Sequence, residues 1–174
     1  MSYEYLVASL PLLFWGDPPP FSASDFLRRC DGVLTPADRA ALDRLLAGRL
    51  DSEAPGFEGA WAARETQLRN AVAAARAVRY GGDARAIRRP HPGWDGGIEK
   101  SVTDAFVKES PLEREMELDC GRWRALEELA RGKPFGVESV FAFALKLRIA
   151  ERWAALTEDA GRAKFEALLT AIEG

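Results

Sequence analysis

Residues 57–80 read FEGAWAARETQLRNAVAAARAVRY and contain no proline. Most of these residues are good helix formers, mainly Ala, Arg, Glu, Gln and Leu. Trp61, Leu68 and Ala75 recur at the spacing of one helical face, and Gly81 then provides a stop in the left-handed region. The stretch therefore predicts a single helix of over ~30 Å, at about 1.5 Å per residue, with neighbours on both sides of its apolar face.

A stripe that includes charged residues runs beside this apolar face. Glu65 precedes Arg69 by four residues, the favourable order for a helical ion pair. Arg76 follows two turns after Arg69, so both guanidinium groups flank the apolar face, where a partner helix or a carboxylate would sit. Two interpretations stay open: salt bridges within the chain, or contacts with a partner protein.

Helix start signals recur along the chain. Ser22, Thr35 and Ser110 are each followed at the third residue by an acid, and the last two directly precede a proline. Helical apolar spacing also begins near residues 98 and 136. No stretch alternates with period two for long enough to propose a sheet. The predicted fold class is all-α, a multi-helix bundle with one long central helix.

Two features of the helix that starts at Ser110 have simple interpretations. Gly121 is expected to weaken its middle, because glycine is a poor helix former. An acidic run near its start is expected to be solvated and to complement the helix dipole. This run consists of Glu113, Glu115, Glu117 and Asp119.

We expect one helical domain over residues 1–174, with a stiff Pro-rich connector at 17–21 and an irregular loop at 82–97. Residues 3–14 are apolar and predicted to be buried, as a short helix or as an extended segment. A last helix is predicted after a cap at Thr157. Its apolar residues are Ala163, Phe165, Leu168, Leu169 and Ile172.

Composition limits the class of protein. The net charge of −3 and the pI near 5.4 argue against a nucleic-acid binder, which needs a basic surface. The apolar N-terminal run is too short to span a bilayer and no Lys or Arg precedes it, so it is not expected to be a signal peptide. We expect a cytoplasmic protein, peripheral to the inner face of the cell membrane at most.

Groups suited to catalysis or metal binding are scarce. The single histidine, His91, lies between prolines, and Cys30 and Cys120 have no metal-ligand spacing. We therefore expect no enzyme activity, no cofactor and no metal. The alternative is a small-molecule binding protein or enzyme with a pocket between helices, in which a cysteine would lie near His91.

Three arginines lie in the irregular loop beside His91 and Trp94: Arg85, Arg88 and Arg89. A basic, aromatic loop of this kind is suited to contact a phosphate or an acidic protein surface. A solvated loop is the other interpretation. With Arg69 and Arg76, these arginines form the set of candidate partner-binding residues.

Two parts of the sequence also resemble known proteins. The opening YEYLVASLPLLFWGDPPPFS, residues 3–22, resembles a bacterial family of uncharacterised proteins encoded within V-type ATPase operons. Residues 64–81, RETQLRNAVAAARAVRYG, and residues 135–153, FGVESVFAFALKLRIAERW, are similar to helices of the C subunit of V/A-type ATPases, the eukaryotic d subunit. In the first of these helices the matching positions are Glu65, Arg69, Asn70 and Arg76.

The resemblance implies a non-catalytic adaptor that links the central stalk of the ATPase to its membrane ring by docking of helix faces. The C subunit is about twice as long and is built from three related helical units arranged as a funnel. This chain has room for one unit with additions, so a complete socket would need several copies or another protein. The number of copies is left open.

Overall fold

The computed structural model describes residues 2–157, 159, 161 and 162. Within these residues the fold is all-helical and contains no strand, which confirms the predicted fold class. The α-helices are α1 (Glu4–Ala8), α2 (Ala23–Cys30), α3 (Pro36–Leu46), α4 (Gly56–Tyr80), α5 (Gly96–Val107), α6 (Pro111–Ala130) and α7 (Val137–Ala155). A 3₁₀ helix at Ala84–Ile87 lies between α4 and α5. The predicted last helix after Thr157 falls largely outside the described residues.

The long helix α4 forms as predicted and ends at Gly81, whose φ of 76° lies in the left-handed region. Trp61 and Leu68 are buried, as the apolar spacing indicates, and α4 contacts both α5 and α6. Val78, three residues after Ala75, is 89% exposed. The last turns of α4 therefore extend past the core, and the short 3₁₀ helix packs against α4.

The predicted start signals act as caps. The Ser22 side chain accepts a hydrogen bond from the Asp25 backbone N–H at 3.1 Å, and the Asp25 carboxylate accepts one from the Ser22 N–H. Thr35 and Ser110 accept in the same way from the third residue of their helices. Such side chains satisfy backbone groups that a helix start leaves unpaired, which fixes where each helix begins.

Helix α7 contributes seven buried residues to the core. Val140, Ala144 and Leu147 are fully buried, and α7 contacts α2, α3 and α6. Phe141 also packs edge-to-face on Phe57 of α4, with ring centroids 5.6 Å apart. The core of the bundle thus forms around α4, α6 and α7.

At the N-terminus a short helix forms, α1, but the prediction of a buried segment over residues 3–14 is only partly right. Tyr3 is buried, donates its N–H to the Phe135 carbonyl at 2.7 Å and hydrogen-bonds Asp38 through its hydroxyl. Leu12 is 80% exposed. Helix α1 ends at Ala8, ahead of Pro11, and in the segment that follows some apolar side chains, such as Leu10 and Leu13, pack partly buried against the core while Leu12 points away from it.

Helix α6 runs without interruption through Gly121, where the sequence predicts a weak point. A Cβ at this position would lie 2.6 Å from both Cβ and Oγ of Ser101, which is buried on α5. The missing side chain lets α5 and α6 approach closely, and this contact compensates for the low helix propensity of glycine. The local sequence shows the low helix propensity of Gly121 but not its contact with Ser101, because Ser101 lies on another helix.

We predict that Gly121→Ala lowers the free energy of unfolding by about 1–3 kcal/mol because it overpacks the α5–α6 contact. On propensity alone the same change would stabilise a helix by up to about 1 kcal/mol. Combining it with Ser101→Gly removes the clashing atoms and should recover part of the loss. Urea unfolding of the single and double variants measures both effects.

The matched control is Gly96→Ala in the first turn of α5, where a Cβ would meet no atom within 4 Å. It should be neutral or slightly stabilising. Equal stabilisation by the substitutions at Gly96 and Gly121 would contradict the close helix approach.

Candidate functional site

Four charged side chains join α4, α6 and α7. Arg122 of α6 donates from Nε to Glu65 Oε1 of α4 at 2.5 Å and from Nη1 to Asp119 Oδ1 at 2.7 Å. Asp119 also accepts from Arg152 of α7 and, at 2.9 Å, from the indole N–H of Trp153. We call Glu65, Asp119, Arg122 and Arg152 the ion cluster.

The two carboxylates of the ion cluster are buried, with Glu65 6% and Asp119 2% exposed. Burial of an unpaired carboxylate would be costly, so each needs a cation at hydrogen-bonding distance. Burial by itself lowers the pKa of the Arg122 guanidinium. The adjacent carboxylates of Glu65 and Asp119 outweigh this effect and raise the pKa above its ordinary value, so Arg122 stays charged.

The prediction that the whole acidic run is solvated is therefore wrong for Asp119. This residue lies well inside α6, beyond the first turn where the helix dipole acts. Its neighbour Leu118 is buried, and Arg122 follows at the i+3 position. A carboxylate within the apolar stripe, one turn before an arginine, is the sequence signal that would have identified the pair.

Next to the ion cluster, a groove of about 520 Å³ runs between α4, the 3₁₀ helix and the first half of α6. Leu68, Val72 and Leu118 form its apolar floor. Tyr80 and Ile87 line it while being 75% and 62% exposed. We call it the α4–α6 groove. It combines apolar surface with side chains that are open to a partner.

Arg69 and Arg76 both line this groove. Arg69 lies 3.6 Å from Glu65, but its side chain is 60% exposed and Glu65 is held more closely by Arg122. Arg76 is exposed, and within the described part of the chain it has no ion pair. The two predicted residues are thus brought to one surface, and only Arg69 has an internal carboxylate.

On the other side of Arg69 and Arg122 a second depression, of about 660 Å³, opens toward α3 and α7. It shares Arg69, Glu115 and Arg122 with the α4–α6 groove. The two hollows therefore meet at the ion cluster. Sequence reasoning missed the contribution of Arg122 and Arg152 to this surface, because Arg122 reaches across to Glu65 of α4 and Arg152 reaches across to Asp119 of α6.

The three loop arginines lie apart from this surface. Arg85 and Arg88 line a separate cavity of about 240 Å³ with His91 and Trp94. The backbone of Arg89 is fixed by the Asn70 side chain, which donates to its carbonyl at 2.7 Å and accepts from its N–H at 3.0 Å. The five predicted arginines are thus divided between two faces of α4.

The two thiols have little nucleophilic character. Burial raises the pKa of the Cys30 thiol to about 11 and also raises the pKa of Cys120. Both are protonated at neutral pH, whereas a reactive cysteine needs a thiolate. Among the described residues, no group of three or more His, Cys, Asp or Glu side chains is placed to hold a metal ion. Those residues also include no helix with the length and hydropathy that crossing a bilayer requires.

Part of the chain matches the model of a protein family. Residues 100–174 match the model of a family described as "Protein of unknown function (DUF2764)". The match begins in α5 and includes α6 and α7, which contribute Asp119, Arg122 and Arg152 to the ion cluster. No curated protein and no solved structure matches the chain.

We predict that Asp119→Ala lowers the free energy of unfolding by about 3–5 kcal/mol, because it leaves the mostly buried Arg122 with one carboxylate fewer. Asp104→Ala is the matched control, since Asp104 pairs with Lys100 at the exposed i+4 position on α5. That change should cost less than about 1 kcal/mol. Chemical denaturation gives both values, and equal losses would contradict a supporting role of the ion cluster.

Proposed function

We propose that this protein is a non-catalytic structural or assembly subunit of a V-type ATPase, which links central-stalk and membrane-ring components by helix-face docking. The docking surface is the α4–α6 groove. The observation that carries the proposal is Arg76, an exposed guanidinium over an apolar floor that has no carboxylate partner among the described residues.

Charge and shape support this role. A partner helix with an apolar face and carboxylates would cover Leu68, Val72 and Ile87 and would pair with Arg69 and Arg76. Arginine suits such a contact because its planar fork binds a carboxylate through two hydrogen bonds. Partly exposed aromatic side chains such as Tyr80 are enriched where proteins dock.

The ATPase is chosen as the complex because residues 3–22 resemble uncharacterised proteins encoded within V-type ATPase operons and because two helices resemble helices of its C subunit. The raised thiol pKa values of Cys30 and Cys120 agree with a role without covalent catalysis. The absence of a glycine-rich phosphate loop in the sequence agrees with a subunit that leaves nucleotide hydrolysis to others.

We expect the Arg69→Ala/Arg76→Ala variant to fold with a nearly unchanged melting temperature. Arg69 is mostly exposed and its partner Glu65 keeps the closer ion pair with Arg122, while Arg76 has no ion pair among the described residues. It should lose at least about tenfold in affinity for central-stalk subunits, since interfacial charge pairs contribute about 1.5 kcal/mol or more. Association of the wild type should slow as salt rises. Affinity capture from solubilised native membranes, followed by binding kinetics with the captured protein, measures this.

The matched control is Arg124→Ala/Arg131→Ala, which removes the same charge at the same sequence separation. These side chains are 61% and 74% exposed and lie outside the α4–α6 groove. The control should bind like the wild type. Capture of no ATPase component by the wild type, or equal losses for the two double variants, would refute the proposal.

A further inference from the structure

A second binding pocket, of about 290 Å³, lies between the segment before the Pro-rich connector and helices α6 and α7. Three tryptophans line it: Trp15, Trp123 and Trp153. The rings of Trp15 and Trp123 meet edge-to-face with centroids 5.6 Å apart. The small side chains of Ala150 and Ala154 leave room between them. This volume is slightly below that of usual ligand sites, about 300–1,000 Å³, and suits a head group.

Two of these indoles already attract cations. Lys146 Nζ lies 4.5 Å from the ring centroid of Trp123, and the Arg152 guanidinium lies 5.3 Å from that of Trp153. Neither Lys146 nor Arg152 is among the residues that line the pocket. Among the described residues, no cationic side chain lines the cavity.

The indole N–H groups of the same rings donate to carboxylates, Trp123 to Glu127 at 3.0 Å and Trp153 to Asp119 at 2.9 Å. Such acceptors increase the electron density of the rings, which strengthens their attraction for positive charge. Glu127 and Asp119 also neutralise Lys146 and Arg152, the two cations outside the pocket. The positive charges of Lys146 and Arg152 are therefore balanced by their own carboxylate partners and contribute little to the electrostatic potential in the cavity.

Asp17 is the one ionisable residue among those that line the pocket. Within the described residues, its carboxylate has neither an ion pair nor a hydrogen bond. A negative charge beside three aromatic rings favours a cation over a neutral or anionic ligand. Asp17 is the only charged acceptor among the lining residues, so the three N–H groups of a primary ammonium would not all be satisfied in this largely apolar pocket, whereas a quaternary ammonium has no N–H groups to satisfy.

We propose that this pocket binds a quaternary ammonium group, with its methyl groups against Trp15, Trp123 and Trp153 and with Asp17 as its counter-ion. The group could belong to a free small molecule or to a phospholipid head group. The proposal is independent of the docking role, since no residue of this pocket lines the α4–α6 groove.

The test is a titration of the full chain with choline and, in parallel, with 3,3-dimethyl-1-butanol, which has the same shape without the charge. Indole N–H signals in ¹H–¹⁵N spectra, assigned by Trp→Phe variants, report the site. We expect choline to shift the signals of Trp15, Trp123 and Trp153 and to bind at least about tenfold more tightly than the neutral alcohol. The exposed Trp94 should not respond.

Two variants locate the contacts. Asp17→Asn and Trp15→Leu lie outside the helices of the core, and each should weaken choline binding several-fold without loss of fold. Trp94→Leu, on another face, is the control and should bind normally. Equal affinity for choline and the neutral alcohol, or unchanged binding by the Asp17 and Trp15 variants, would overturn the proposal.

Co-sedimentation with vesicles of phosphatidylcholine or of phosphatidylglycerol separates the sources of the ligand. If the ligand is a lipid head group, the protein should bind phosphatidylcholine vesicles. Excess choline should reverse this binding, and Asp17→Asn should weaken it. If the ligand is a free small molecule, the protein should bind choline but not the vesicles. Binding to neither choline nor phosphatidylcholine vesicles would refute the site.

Discussion

The structure depends on the pairing of buried carboxylates with Arg122. Glu65 and Asp119 lie on different helices, and both are almost fully removed from solvent. Because a buried carboxylate without a cation is strongly unfavourable, Arg122 must reach Glu65 of α4 and Asp119 of α6 at once, which restricts how α4 is rotated and shifted along α6. Arg152 connects α7 to the same carboxylate, that of Asp119. The apolar core supplies most of the driving force for folding, and the ion cluster specifies one arrangement of the three helices.

This arrangement also determines which charges remain for other contacts. Arg122 holds Glu65 at 2.5 Å, whereas Arg69 reaches the same carboxylate only at 3.6 Å and stays mostly exposed. Further along α4, Arg76 lies over apolar surface with Tyr80 and Ile87 beside it. The internal network thus satisfies the carboxylates of the core and leaves two guanidinium groups at the edge of the α4–α6 groove. The proposed docking role follows from this separation of internal and surface arginines.

Local signals explain what could be predicted from the sequence. The caps at Ser22, Thr35 and Ser110 and the stop at Gly81 act through neighbours within four residues, so helix boundaries could be predicted closely. Features that join distant segments could not. Gly121 packs on Ser101 of α5, and Asp119 pairs with Arg152 of α7, so neither contact can be predicted from the neighbouring sequence, which shows only the local pairing of Asp119 with Arg122. The candidate site was predicted in part, since Arg69 and Arg76 share a groove but the loop arginines lie elsewhere.

If the α4–α6 groove faces a component of the ATPase, as we propose, site-specific photo-crosslinking should detect that component. A benzophenone amino acid in place of Tyr80, which lines the groove, should yield a covalent adduct with a central-stalk protein in intact cells. The same amino acid in place of Tyr5, which is 95% exposed on α1 and outside the groove, should not. We therefore expect an ATPase adduct from position 80 and none from position 5. Identical adducts from both positions, or adducts at Tyr80 that contain no ATPase component, would contradict it.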